Sequence, residues 1–421
     1  MKAKIYPSKN KTATIKLPCS KSLAHRAIIC ASLADGISHI TNVDFSVDID
    51  ATISAMQHLG AKIEKKEHEV IVEGSSRFNY DGQMVNAFES GSTLRFLIPV
   101  FSLCDKEVTF IGSKRLMERP QSVYEKLFAK QNISFIHNDK ITINGRLKSG
   151  MIEIDGNISS QFISGLLFTL PLLDNDSQII IKPPFESKSY VDLTLQILRI
   201  FNVEAYYQDE YTLFIKGNQK YHACDYEVEA DYSQLAFFGA LGLINNDVEC
   251  INFTLDSLQG DKQILNAFEK MNGIINNIED GFIFRSSDLH AATIDLQNCP
   301  DLGPMLFALA TQAKGQSVFT NALRLRIKES DRIEAMEQEL RKLNQKISSS
   351  EDVVYVNGKN KVIAKEILSS HNDHRIVMAL SILATISENV VEIDQVEAIN
   401  KSYPKFFDDL RKCGIRVELY D

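Results

Sequence analysis

At roughly 150 residues per domain, the 421 residues make two or three domains. A composition 44% hydrophobic and 24% charged excludes a disordered chain. With 55 acidic against 46 basic residues the net charge is −9, which argues against a general binder of nucleic acid or anionic membrane, because such binders depend on excess cations. Any small anion held here must be held by cations gathered locally.

The opening stretch, MKAKIYPSKNKTATIKLP, is basic, lacks the apolar core of a signal peptide, and predicts strands around Ala3–Tyr6 and Ala13–Leu17. Six segments then repeat one pattern, a few polar residues followed by about a dozen mostly apolar ones. They are SLAHRAIICASLADG from Ser22, GSTLRFLIPVFSLCD from Gly91, SSQFISGLLFTLPLLDND from Ser159, DYSQLAFFGALGLINND from Asp231, DLGPMLFALATQAKG from Asp301 and DHRIVMALSILATISE from Asp373. Successive starts lie 69, 68, 72, 70 and 72 residues apart, a regularity that random apolar runs would not keep. Amphipathic helices follow at the same period, such as those from Asp48, Asp261 and Asp331. Short β-patterned runs such as AKIE, EVIVEG and GIRVEL come after them.

One unit therefore reads strand, apolar helix, strand, amphipathic helix, strand, strand. A helix apolar nearly all round must be buried, so the helices lie inside and the sheets outside. The fold class expected is α/β, with two inverse (inside-out) α/β barrel-like domains of three units each. The sixth unit runs out of chain after GIRVEL, and the N-terminal strands are available for the missing pairing. The chain then crosses twice between domains, near 18–20 and 228–231. That makes 20–229 one domain and 1–19 plus 230–421 the other.

The run FISGLLFTLPLL (162–173) is too short to span a bilayer. Seven cysteines without a Cys-x-x-Cys pair outline neither a zinc site nor a disulfide framework; reduced thiols in a cytoplasmic protein are expected.

The apolar helices begin with groups that bind anions or move protons: Lys21, Ser22 and Arg26; Gly91, Ser92 and Arg95; Ser159, Ser160 and Gln161; His374 and Arg375. Helix starts offer free N–H groups and partial positive charge, which favour phosphate and carboxylate. They also favour plain capping by Ser or Asp, the simplest reading of Asp231. Arginines inside a first turn oppose the dipole, so Arg26, Arg95 and Arg375 call for an anionic ligand.

The motifs LPCSKSLAHRA (17–27), LMERP (116–120), SSQF (159–162), RIKESDR (326–332), DHR (373–375) and KSYP (401–404) occur in order along the chain. Together they resemble the 5-enolpyruvylshikimate-3-phosphate synthase family. The resemblance implies transfer of the enolpyruvyl group of phosphoenolpyruvate to the 5-hydroxyl of 3-phosphoshikimate, on the route to chorismate and the aromatic amino acids. It further implies a monomer using neither metal nor cofactor, and the charge balance already argues against a nucleic-acid or membrane partner. Asp301 is then the base for the sugar hydroxyl and Glu329 the proton donor to the methylene carbon, with Lys21 close to both. The resemblance assigns Lys21, Ser22, Arg26, Ser159, Ser160, Gln161, Ser187, Tyr190, Asp301 and Lys328 to 3-phosphoshikimate. To phosphoenolpyruvate it assigns Lys21, Gly91, Arg119, Gln161, Arg332, Arg375 and Lys401. It also implies that glyphosate, a compact carboxylate–phosphonate, competes with that substrate.

The chain departs from the family pattern at Cys19, Glu89, Phe96, Ser189 and Arg324, none of them a proton-transfer group. The sister family acting on UDP-N-acetylglucosamine is the alternative reading. Its members usually carry Lys-Asn where this chain has Lys21-Ser22, and a reactive cysteine in the loop before the position of Arg119. No cysteine lies between Asp105 and Lys130.

Overall fold

A computed structural model describes residues 1–9 and 11–421 of the protein. Two compact units divide the chain: Cys19–Val228, and Met1–Pro18 with Glu229–Asp421.

The third repeat shows the complete unit. A strand Met151–Asp155 leads into the apolar helix Ser160–Thr169. Strand Ser177–Lys182, helix Lys188–Ile200 and the hairpin strands Ala205–Asp209 and Thr212–Ile215 follow. The first two strands pair in parallel, Met151 opposite Gln178, as expected where a helix carries the chain back. The last strand pairs antiparallel with both the second and the third, giving sheet order first, second, fourth, third. The sheets of the second and fifth repeats have the same order.

Three repeats borrow strands. In the sixth, Lys2–Tyr6 fills the missing fourth place, antiparallel to both Val391–Asp394 and Arg416–Tyr420. The second N-terminal strand, Ala13–Lys16, does not join it. It takes the first place in the fourth repeat, parallel to Val248–Ile251. The residues that would have filled that place, Tyr221–His222 and Tyr226–Glu227, instead pair with Ala34–Thr41 of the first repeat.

The inside-out expectation holds within each unit. Every residue of the helix His374–Ala384 is buried, as is all but the last of Tyr232–Ile244. The strands around them alternate buried and half-exposed positions, for example in Val391–Asp394. Burying each large apolar side chain contributes about 1.5–3 kcal/mol, so these helices anchor their units while their first turns carry the polar groups.

The second apolar helix, Gly91–Phe101, carries Pro99 inside it. Proline has no N–H to donate, so the Arg95 carbonyl four residues back loses its usual partner. The Tyr124 hydroxyl donates to that carbonyl at 2.5 Å. Gly165 makes room for the contact, because a Cβ there would lie 2.4 Å from both the Arg95 carbonyl oxygen and the Tyr124 hydroxyl.

Candidate active site

In the Cys19–Val228 unit, Lys21 opens the first apolar helix and its ammonium contacts Asp48 Oδ2 at 2.7 Å. Asp48 stands in the first turn of the helix Val47–His58. The Asp48 carbonyl and the hydroxyls of Ser90, Thr52 and Thr93 meet around Thr93 Oγ1, within 3.4 Å. This chain ties the Lys21 partner to the start of the Gly91 helix.

Arg26 is almost fully buried, and every hydrogen bond it donates goes to a neutral oxygen. These are Thr194 Oγ1 at 2.8 Å, the Ser22 carbonyl at 2.6 Å, the Tyr190 carbonyl at 2.9 Å and Ser164 Oγ at 3.4 Å. Its guanidinium also lies 4.9 Å from the centre of the Phe96 ring. Burial lowers its pKa to about 10, and it remains a cation at neutral pH. Among the described residues no carboxylate pairs with it, and a buried charge without a counter-ion is costly and fits a site that receives an anion. His25, one residue away, is pushed toward the neutral form by burial and then by Lys21 and Arg26.

The second and third helix starts are joined by Gln161, which accepts from Arg95 at 2.9 Å and donates to Ser92 Oγ at 3.1 Å. Ser159 caps its helix by accepting from the Gln161 N–H, and Ser160 is buried beside it. Arg119 is buried against Gly91: a Cβ at Gly91 would sit 2.6 Å from the Arg119 guanidinium. Ser187, also buried, adopts left-handed backbone (φ 53°) ahead of the Lys188–Ile200 helix, on which Tyr190 sits. Arg119 lies outside the helix Ser122–Lys130, ahead of its capping residue Gln121.

The helix dipole bears on only one of the three arginines. Arg26 and Arg95 fall in the second turns of helices that begin at Lys21 and Gly91, where the dipole has faded. It applies to Arg375 alone, second residue of its helix. For Arg26 the reason to expect an anion is the missing counter-ion instead.

In the other unit the charges are interlocked. Arg332, 1% exposed, donates to Asp301 Oδ1 at 2.9 Å, Glu329 Oε2 at 2.7 Å and Asp373 Oδ2 at 2.8 Å. Arg375 donates to Asp301 Oδ2 at 3.1 Å and Ser233 Oγ at 3.0 Å, while its Nε and remaining terminal nitrogen are buried with no hydrogen-bond partner among the described residues. Lys328 lies 3.1 Å from Asp301 Oδ1. Lys401 donates to the Asn372 carbonyl at 2.5 Å.

Electrostatics follow from this packing. Burial alone would raise the Asp301 carboxyl, but Arg375, Lys328 and Arg332 outweigh it and hold the group well below the usual carboxylate range. Burial pulls Lys328 down to about 8, Asp301 opposing and Arg324 and Arg332 assisting. Asp301 sits in a short 3-10 turn, Pro300–Leu302, just ahead of the helix Gly303–Ala310 rather than at its first residue. Asp231 accepts from the Ser233 N–H and hydroxyl, as a helix cap should.

Sequence reasoning missed several supporting groups. In sequence Asp48 is one more acidic helix start, and nothing in the DHR motif marks Asp373 as the partner of Arg332. Thr194, Ser164 and Tyr124 carry no sequence signal as partners of Arg26 and Arg95. Among the described residues, no group of three or more His, Cys, Asp or Glu side chains is arranged to hold a metal ion.

Solved structures share this fold. The chain matches an EPSP synthase from Acinetobacter baumannii with a TM-score of 0.82 at 24% identity, over 99% of this chain and 100% of that one. It also matches the enolpyruvyl transferase NikO from Streptomyces tendae with a TM-score of 0.82 at 13% identity, over 99% of this chain and 98% of that one. The fold is that of the enolpyruvyl transferases.

Sequence comparison is more specific. The model of the EPSP synthase (3-phosphoshikimate 1-carboxyvinyltransferase) family matches residues 5–410. A 3-phosphoshikimate 1-carboxyvinyltransferase of Clostridium beijerinckii is 43% identical over 98% of this chain and 97% of its own. One of Clostridium kluyveri is 42% identical over 96% and 95%. The chain belongs to the EPSP synthase family.

Proposed function

We propose that this chain transfers the enolpyruvyl group of phosphoenolpyruvate to the 5-hydroxyl of 3-phosphoshikimate, and that the residues gathered above carry out the steps. A proton added to the methylene carbon makes the neighbouring carbon cation-like, and the hydroxyl oxygen attacks it as its own proton leaves. The tetrahedral adduct then loses a methyl proton and inorganic phosphate, restoring the double bond. The reaction needs one carboxylic acid and one carboxylate, each typically worth about 10²–10⁴-fold.

The observation that carries the reading is Arg332, whose two terminal nitrogens hold Asp301 and Glu329, the two groups assigned to proton transfer. Asp301 acts as the base and Glu329 as the acid. While three cations hold Asp301 it is a weak base. Phosphate and carboxylate groups that draw Arg332, Arg375 and Lys328 toward themselves raise its basicity, so proton abstraction waits for bound substrate.

Arg26, with no counter-ion, is suited to the phosphate of 3-phosphoshikimate, assisted by Lys21, Ser22, Ser159, Ser160, Ser187 and Lys328. Gln161 serves both substrates and Tyr190 packs on the sugar ring. Arg119, Gly91, Arg332, Arg375 and Lys401 take phosphoenolpyruvate, together with Lys21. Arginine forks suit planar carboxylate and phosphate groups.

The acidic, cysteine-reduced composition supports a cytoplasmic setting, and the family resemblance supports a monomer working without metal or cofactor. Among the described residues, no helix is long and apolar enough to cross a membrane.

Release of inorganic phosphate from the two substrates tests the reading. Release with 3-phosphoshikimate and none with UDP-N-acetylglucosamine is expected. The reverse preference would move the chain to the sister activity, and no release with either acceptor would reject transfer.

A further inference from the structure

One buried carboxylate has no part in that chemistry. Glu339, on the helix Arg332–Lys342 two turns beyond Arg332, is 0% exposed. Its Oε1 pairs with His371 Nε2 at 2.9 Å and its Oε2 accepts from the Ser369 N–H at 2.8 Å, while Lys342 Nζ reaches both oxygens at 3.0 Å. Burial would raise this carboxyl, but His371, the Ser369 N–H and Lys342 together hold it below its usual value. A well-packed apolar side chain fastens a helix to its neighbours at least as well as a buried ion pair, so helix anchoring alone does not explain a charge here.

The segment Glu339 grips is unusual. His371 and Asn372 are consecutive left-handed residues (φ 51° and 53°), and neither is glycine. Such backbone persists only where its surroundings enforce it. Glu339 holds the loop through the Ser369 backbone and the His371 ring. Directly afterwards, the Asn372 carbonyl receives Lys401, and the Asp373 carboxylate holds Arg332 and caps the helix by accepting from the Arg375 N–H.

We propose that Glu339 and His371 are positioning residues for phosphoenolpyruvate: by bracing the 369–372 loop, they set where Lys401, Arg332 and Arg375 present their charges. The inference rests on reading those three cations as the phosphoenolpyruvate set.

His371→Ala, Glu339→Gln and Lys401→Ala in the full chain test both levels by steady-state kinetics with each substrate varied. His371→Ala and Glu339→Gln are expected to raise KM for phosphoenolpyruvate about tenfold, the scale of slightly misplaced binding groups, leaving KM for 3-phosphoshikimate and kcat within about twofold. If Lys401→Ala leaves KM for phosphoenolpyruvate unchanged, the reading of the cations is wrong and the inference falls with it. If Lys401→Ala raises that constant but the other two variants leave it at the parent value, or raise both KM values equally, Glu339 and His371 serve stability alone and the inference is overturned. Should Glu339→Gln fail to fold, His371→Ala, at a partly exposed side chain, decides by the same criterion.

Discussion

Asp301 shares one carboxylate oxygen between Lys328, at 3.1 Å, and Arg332, at 2.9 Å, and offers the other to Arg375. Its carboxylate therefore occupies the cations that an incoming anion needs. Asp301→Asn should lower kcat by about 10²-fold or more, the scale of a lost general base. It should also tighten binding of inorganic phosphate, since an amide competes less for the same guanidinium groups. Calorimetric titration with phosphate checks the second half, and weaker binding than in the parent would count against it.

Lys328 predicts a pH dependence. With its pKa lowered to about 8, chiefly by burial, it is protonated and able to hold an anion below that pH and neutral above it. For 3-phosphoshikimate, kcat/KM should fall by up to about tenfold per pH unit above pH 8, because free-enzyme ionisations govern that ratio. In Lys328→Arg the fall should disappear, since arginine stays charged. An unchanged alkaline limb in that variant would assign it to another group.

Arg26 separates binding from stability. Arg26→Met deletes a buried charge that no carboxylate among the described residues offsets and keeps much of the apolar stem beside Phe96, so the ligand-free unfolding midpoint should stay within about 3 °C of the parent. Saturating 3-phosphoshikimate should raise the parent midpoint by several degrees, as a ligand at about 100 times its Kd adds about 2.7 kcal/mol. The variant should show almost no such rise. An equal rise in both proteins would remove Arg26 from the phosphate site.

At Gly91 the constraint is local. The methyl group of Gly91→Ala would first meet the Arg119 guanidinium, at 2.6 Å, so Arg119 must move before any ligand is touched. KM for phosphoenolpyruvate should rise about tenfold, the order expected when a charged contact is misplaced. Competitive inhibition by glyphosate should weaken at least as much. Unchanged values for both would place Gly91 and Arg119 away from the donor substrate.

Tyr124 offers a stability test. Tyr124→Phe removes the donor to the Arg95 carbonyl, which Pro99 has already deprived of its helical partner. A buried acceptor left unmet costs about 1–3 kcal/mol, measurable by denaturant unfolding. Pro99→Ala in the same background should recover part of the loss by restoring the helical N–H. No recovery would mean that the hydroxyl serves another partner, such as the Phe162 carbonyl 3.2 Å away.

The repeat was legible because a buried helix and a one-sided strand leave different hydrophobic periods, and six copies kept one spacing. The strand exchanges were only half legible. An unfinished sixth repeat announced a need for Lys2–Tyr6, but nothing in ATIK says that Ala13–Lys16 belongs to the fourth. Charged motifs marked Arg332, Asp301 and Glu329, whereas their mutual bonding depends on turns that bring residues 301, 332 and 373 together. Pro99 is a visible warning of an orphan carbonyl, yet its rescuer sits 25 residues further on, in another helix. The left-handed pair His371-Asn372 gave no glycine to announce it.

The borrowed strands also dictate an order of assembly. All the strands of the Cys19–Val228 unit lie in one continuous stretch, so its sheets can close once residue 227 has left the ribosome. Strand Lys2–Tyr6 must wait for partners at 391–394 and 416–420, and loops of that length make late, slow contacts. Until those partners are made, Lys2–Tyr6 is an unpaired strand, open to wrong partners. Its lysines at positions 2 and 4 supply the charge that keeps such an edge from adhering to others.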